Sequence, residues 1–290
     1  MGEVSLFLDA RARLAEGPCW DARRACLFWV DIEGHALHQL TLDPVADRAI
    51  PLGEAVGTVA PCADGRLLLA TASGLWFYNL DTGERERIAD PESATTGNRF
   101  NDGKCSPEGR FFGGTMNPGP ARNAALYRLD GDRSLTHLRT GVGISNGLAF
   151  SMDSRTFYWA DTPTGQVLAF DHDPATGAIA NPRVAVQVPP DQGGPDGLTI
   201  DCDGHLWVAQ WGGWRVVCYD PATGEALATL RVPVARVSAC TFGGADMGTL
   251  FITTAQPDSP LERAAQPHAG GIFTARPGAR GLPAFPYRGA

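Results

Sequence analysis

Glu16, Asn101, Asn146 and Asp196 are acids or carboxamides, and each sits about ten residues ahead of a short strand-forming run. Their local words are alike: AEGPCW, FNDGKC, SNGLAF and PDGLTI, with glycine one or two positions behind the polar side chain. Asn, Asp and Gly are ordinary turn formers, and any one of these words alone reads as a turn. If the same position recurs around a closed ring of repeats, two carboxylates and two carboxamides meet in one small space. Carboxylates crowded without a cation repel one another or take up a proton. A divalent ion removes that conflict, and Glu16, Asn146 and Asp196 are assigned to it. An oxygen-only set selects a hard cation such as calcium, magnesium or manganese, with zinc or iron(II) also compatible.

Three protein ligands leave positions open for water and substrate. Such a centre polarises a carbonyl and stabilises the oxygen anion that develops, while a carboxylate at the rim, Asp196 or Asp102, accepts a proton from the attacking water. That chemistry suits hydrolysis of an activated ester. Phosphoryl transfer lacks a P-loop, and a serine nucleophile lacks the G-x-S-x-G word. Arg99, two residues before Asn101, offers a planar donor fork to hydroxyl or carbonyl oxygens, although an arginine here also suits bracing a loop. Trp211 and Trp214 in AQWGGWRV offer faces for a sugar ring, with blade packing as the alternative. None of the six histidines falls at an axial position.

The elements that must position these groups recur along the chain. Strand-like cores begin at Leu27, Leu67, Phe111, Phe157, Leu206 and Leu250, at intervals of 40, 44, 46, 49 and 44 residues. That period is the length of a four-stranded propeller blade. Counting back from each core reaches Glu16, the Val56-Gly57 pair, Asn101, Asn146, Asp196 and Cys240. A β-sandwich also has many short strands, but it predicts no regular phase. The expectation is an all-β, six-bladed propeller of about four antiparallel strands per blade, forming a single domain over residues 1–290. The N-terminal run VSLFLDARARL is available to pair beside GIFTARP at Gly271 and close the ring.

Composition bounds the remaining classes. The chain has 35 Gly and 22 Pro, which favours turns and short strands, and its net charge of −8 argues against a nucleic-acid partner. No window reaches the apolar length of a membrane span. Seven scattered cysteines form no C-x-x-C pair and read as small buried hydrophobes in a reducing compartment, so a cytoplasmic protein is expected.

The words LAEGPCWD, RFNDGKCSPEGRFFGGTM, GISNGLAFSMDSRTFYWAD and PDGLTIDCDGHLWVAQWGG, in this order, closely resemble the SMP-30/gluconolactonase/LRE family of sugar lactonases. The resemblance spans essentially the full chain. It implies one catalytic divalent cation held by Glu16, Asn146 and Asp196, with substrate contacts from Arg99 and Asn101. It also implies hydrolysis of aldonolactones to aldonic acids, with Asp196 favoured as general base. Where some members carry an acidic sugar contact after GTM, this chain has NPGPARN, which leaves the sugar open. A noncatalytic calcium-binding or protein-docking propeller, and a propeller hydrolase acting on other esters, are the alternatives.

Overall fold

A computed structural model describes residues 2–117, 119 and 122–289. Of the NPGPARN run, Pro118, Pro120 and Ala121 lie outside the described residues. The short alternating runs form strands because one face of each packs against a neighbouring sheet, and the Gly- and Asp-rich words between them reverse the chain. Six four-stranded antiparallel sheets result, arranged as the blades of a propeller. In five of them the strands follow chain order. The sixth combines Val237–Gly243, Thr249–Thr254 and Ile272–Ala275 with the N-terminal strand Ser5–Leu8. Ser5 pairs with Thr274 and Leu6 with Phe273, so the ring closes through the chain ends as the sequence leads one to expect.

The hydrophobic core is divided among the blades rather than gathered centrally. Six buried clusters occur, one at each contact between neighbouring blades. Phe112 and Leu126 of the third blade, for example, meet Leu148, Phe157 and Trp159 of the fourth. At the closing contact Trp20 and Trp29 of the first blade pack with Phe251 and Ile272 of the sixth. The Trp20 and Phe251 rings are stacked at 6.1 Å. Each blade therefore needs both neighbours to bury its faces, which is why the ring must close.

The first strand of each blade lines the axis: Ala15–Asp21, Val56–Pro61, Arg99–Cys105, Ser145–Phe150, Gly194–Ile200 and Val237–Gly243. All six carry a register shift near the same place, for instance between Phe100 and Asp102 and between Asn146 and Leu148. A bulge re-aims side chains that strict alternation would send to the blade faces. Here it turns one residue per blade toward the axis. In the sixth blade the shift falls between Val237 and Ala239, so the axial position is Ser238 and not Cys240 as counting back suggests.

The C-terminal segment crosses one end of the channel. Arg280 accepts a hydrogen bond from the Cys202 amide at 2.8 Å, Tyr287 pairs with Pro61 and Ala63 at 2.8 Å, and the Arg288 amide donates to Gly109 at 2.9 Å. The Tyr287 hydroxyl donates to the Asp130 carbonyl at 2.6 Å. Segments of the fifth, second and third blades are thus tied beneath the ring by one strap.

Removing residues 2–9 strips the fourth strand from the closing blade and exposes the Ile272–Ala275 edge. The truncated protein should melt roughly 10 °C lower, the consequence of losing several kcal/mol in a chain of this size, and should associate as concentration rises. Calorimetry and light scattering check this; an unchanged Tm contradicts closure by this strand.

Candidate active site

Two cavities share the axis. Residues from the starts of the inner strands, among them Glu16, Arg99, Asn101, Asn146 and Asp196, line one of about 340 Å³. Residues farther along the same strands, including Asp102, Lys104 and Cys240, line a smaller one of about 80 Å³. Leu282, Pro283, Ala284 and Phe285 of the C-terminal strap lie against the smaller cavity.

The bulges deliver Glu16, Asn101, Asn146 and Asp196 to the larger cavity, all four buried. Glycine beside the axial residue permits the inner strands to approach. A Cβ on Gly147 would stand 2.5 Å from the Asp196 carbonyl oxygen, closer than real atoms come. The Asn-Gly pair is therefore a packing requirement as well as a turn signal.

A directed series of hydrogen bonds connects these side chains across three blades. Arg99 Nη1 donates to Asn101 Oδ1 at 2.7 Å, and Asn101 Nδ2 donates to Asn146 Oδ1 at 2.9 Å. Asn146 Nδ2 donates to Thr162 Oγ1 at 2.7 Å, and that hydroxyl donates to the Pro195 carbonyl at 2.7 Å. The series fixes both amide orientations and ends one residue before Asp196. It leaves Asn146 Oδ1 with a lone pair to spare.

The electrostatics of the site disfavour charge on its carboxylates. Burial, followed by the Asp102 charge, raises the Glu16 pKa to about 8, while the Gly17 amide at 2.9 Å and Arg99 act the other way. Burial, then Glu16 and Asp102, pushes Asp196 well above the usual carboxylate range, opposed by the Gly197 amide. Burial also raises Asp102, against the pull of Lys104. Lys104 is the only lysine in the sequence. Its ammonium donates to the Leu198 carbonyl at 2.9 Å, spanning from the third blade to the fifth. Asp102 and Lys104 keep some exposed surface because they face cavity space, although protein surrounds them.

Asp196 Oδ1 is buried with no hydrogen-bond partner among the described residues. A buried acceptor without a donor is costly and calls for an ion or water. Two carboxylates, one of them carrying this orphaned atom, and a carboxamide oxygen fit a hard divalent cation.

Asp102 lies off the rim. It lines the deeper cavity, because the bulge spends the axial position on Asn101. Trp211 lines the larger cavity, whereas Trp214, with φ of 60° and 42% exposure, follows the Gly212–Gly213 turn and is not part of the lining. No histidine lines this cavity among the described residues. Elsewhere Asp201, His205 and Cys218 cluster, but Asp201 already accepts from the Trp207 indole and from backbone amides, which marks it as a clamp within the fifth blade. Sequence reasoning passed over Thr162, Arg236 and Lys104, each of which also reaches the fifth blade, at Pro195, Trp211 and Leu198 respectively. Only the solitary lysine left a trace, in the composition.

A six-bladed propeller with acidic and carboxamide side chains converging at one end of its axis defines the class. The SMP-30/gluconolactonase/LRE-like region matches residues 14–256, and the chain belongs to that family. Regucalcin of Danio rerio is 36% identical over 293 residues, covering 99% of each chain. Pentonolactonase XacC of Haloferax volcanii is 36% identical over 287 residues, covering 97% of each. The crystal structure of a calcium-binding protein, regucalcin from Agrobacterium tumefaciens, superposes with a TM-score of 0.93 at 28% identity, covering 99% of this chain and 98% of that one.

Two outcomes follow from this geometry. Without a divalent ion, folded Glu16 holds its proton up to about pH 8, whereas the unfolded chain releases it near the ordinary 4.5. The folded state binds more protons between those values, so metal-free stability should fall as pH rises from 5 to 8. Melts with chelator should show a lower Tm at pH 8 than at pH 5.5, and added divalent ion should reverse the difference. Separately, Thr162→Val removes the acceptor that orients Asn146. Metal affinity or activity should fall about 10- to 100-fold, as for other groups that orient ligands, with Tm little changed.

Proposed function

We propose that the chain acts as one propeller domain, residues 1–290, and hydrolyses a sugar lactone to the aldonic acid with the aid of one divalent cation. The observation that carries the reading is the orphaned Asp196 Oδ1 beside Glu16 and Asn146, in a cavity large enough for a monosaccharide-sized guest. The pentonolactonase relative supports the lactone class, and the calcium-binding regucalcin structure supports a divalent ion.

Glu16, Asn146 and Asp196 would hold the ion. Calcium, manganese, magnesium, zinc and iron(II) all suit oxygen donors to differing degrees. When bound it supplies Lewis acidity to a carbonyl oxygen placed beside it. The residues do the rest. Arg99 is held by the Phe100 carbonyl and Asn101, both through Nη1, so its remaining N–H groups are free to bind substrate oxygens. Asn101, with both amide ends engaged, braces Arg99 against Asn146 and stands at the cavity wall. Asp196 accepts a proton as water adds to the lactone carbonyl carbon. The ring C–O bond then breaks, and the proton passes to the released oxygen, leaving a hydroxy acid. Asp196 is better placed for this than Asp102, which faces the deeper cavity.

The test is a pH-stat panel of five- and six-carbon aldonolactones against defined divalent ions, with spontaneous opening subtracted. Asp196→Asn and Asn146→Ala should lower kcat by about 10²-fold or more, the scale for losing a general base or an electrostatic stabiliser, and should lower bound metal together with it. Turnover at the uncatalysed rate on every lactone, with tight calcium binding retained, would point instead to a noncatalytic calcium-binding propeller.

A further inference from the structure

Arg99 occupies the position two residues before the axial residue of its blade. The same position in the sixth blade, two before Ser238, is Arg236. In a ring of six the third and sixth blades stand opposite each other, and both arginines line the larger cavity. At the corresponding place the first and fourth blades present Leu14 and Ile144. Apolar walls thus alternate with two opposed guanidinium groups.

Arg236 is held by backbone and side-chain contacts on several sides. Its backbone bridges to Trp211 of the fifth blade, and its carbonyl accepts from the Ala255 amide at 2.9 Å. Nη1 donates to the Gln256 carbonyl at 2.9 Å and to Asp258 Oδ1 at 3.2 Å, while Nη2 donates to Asp258 Oδ2 at 2.5 Å. The guanidinium lies 5.2 Å from the Trp211 ring centroid. Of its five N–H groups, Nε–H and one on Nη2 have no protein acceptor among the described residues. These two share one edge of the planar fork, the geometry that binds a pair of oxygens.

We propose that Arg236 is a second substrate-binding arginine, which reads hydroxyl groups on the part of the lactone remote from the reacting carbonyl. The inference rests on the lactonase reading for the identity of the ligand. The metal-binding oxygens are buried, whereas Asp258 is 90% exposed, so the reacting end goes deep and the hydroxylated end meets Arg236 and Trp211 near the mouth. Glu33 and Asp258 share the lining with Arg13 and Arg236, and this balance of charge favours a neutral polyol over a phosphorylated sugar. Arg236 therefore sets specificity and takes no part in bond breaking.

The experiment compares an aldonolactone with δ-valerolactone, which has the ring ester and no hydroxyl groups. Arg236→Met should raise KM for the aldonolactone about tenfold, the equivalent of one good charge-assisted contact, with kcat and δ-valerolactone turnover within about twofold of wild type. Arg236→Lys, which keeps the charge and loses the fork, should recover little of the loss. Equal loss on both lactones, or loss on neither, overturns the assignment. A binding arm is independent of turnover: calorimetric titration of aldonolactone into Asp196→Asn should weaken about tenfold when Arg236→Met is added, and unchanged affinity also overturns it. If wild type opens no lactone but the binding arm behaves as stated, the lactonase reading fails and the Arg236 contact stands.

Discussion

Everything in the molecule is arranged around carboxylates held together in a place that disfavours their charge. Glu16 and Asp196 share a buried cavity, and Asp102 sits beneath them on the same axis. In such surroundings burial raises the proton affinity of Glu16 and of Asp196, the Asp102 charge adds to both, and Glu16 adds to Asp196. An open or deformable scaffold would relax by letting the groups separate or reach water. The closed ring prevents this, because moving one inner strand disturbs two of the six interblade cores. Rigidity thus keeps the crowded carboxylates from relaxing apart.

Positive charge inside the protein is rationed accordingly. Arg99 lies on the cavity wall and lowers the Glu16 proton affinity; Lys104 lies deeper and does the same for Asp102. Neither side chain hydrogen-bonds to Glu16 or Asp196: Arg99 is taken up by the Phe100 carbonyl and Asn101, Lys104 by Leu198. The field is softened while the oxygens of the proposed ligands stay open. The compact ammonium of the sole lysine makes this one contact across the channel.

How much of this the sequence disclosed follows from which contacts are repeated. Blade period, ring closure and the axial residues Glu16, Asn101, Asn146 and Asp196 were legible because each is one instance of a pattern seen several times. Errors arose where a blade departs locally from its siblings. Cys240 was reached by assuming equal hairpin lengths, whereas the bulge of the sixth blade falls at Ser238. Asp102 was placed at the rim because it neighbours Asn101, yet consecutive strand residues face different ways. Trp214 resembled Trp211, yet of the two only Trp211 lines the larger cavity. The Thr162 bond to Pro195, the Lys104 bond to Leu198, the Arg236 bridge to Trp211 and the Tyr287 strap act between blades, across tens of residues, and nothing local in the sequence marks such pairings.

Three axial positions carry no proposed ligand: Asn101 braces Arg99, and the other two explain how a symmetric scaffold becomes a one-sided site. Gly57 holds the axial place in the second blade, where a Cβ would stand 2.5 Å from the Phe100 carbonyl oxygen and 2.6 Å from that of Asn101. Any side chain there would push away the strand that presents Arg99 and Asn101, so the second blade serves by being thin. Ser238 holds the sixth place, and its hydroxyl donates to the Ala15 carbonyl at 2.5 Å, one residue before Glu16. It steadies the strand from which Glu16 extends, just as Thr162 ties Asn146 to the residue before Asp196. Each axial residue without a charge is thus fitted to a neighbour that has a polar task. The sixfold repeat supplies equivalent places, and the differences among those places make the chemistry.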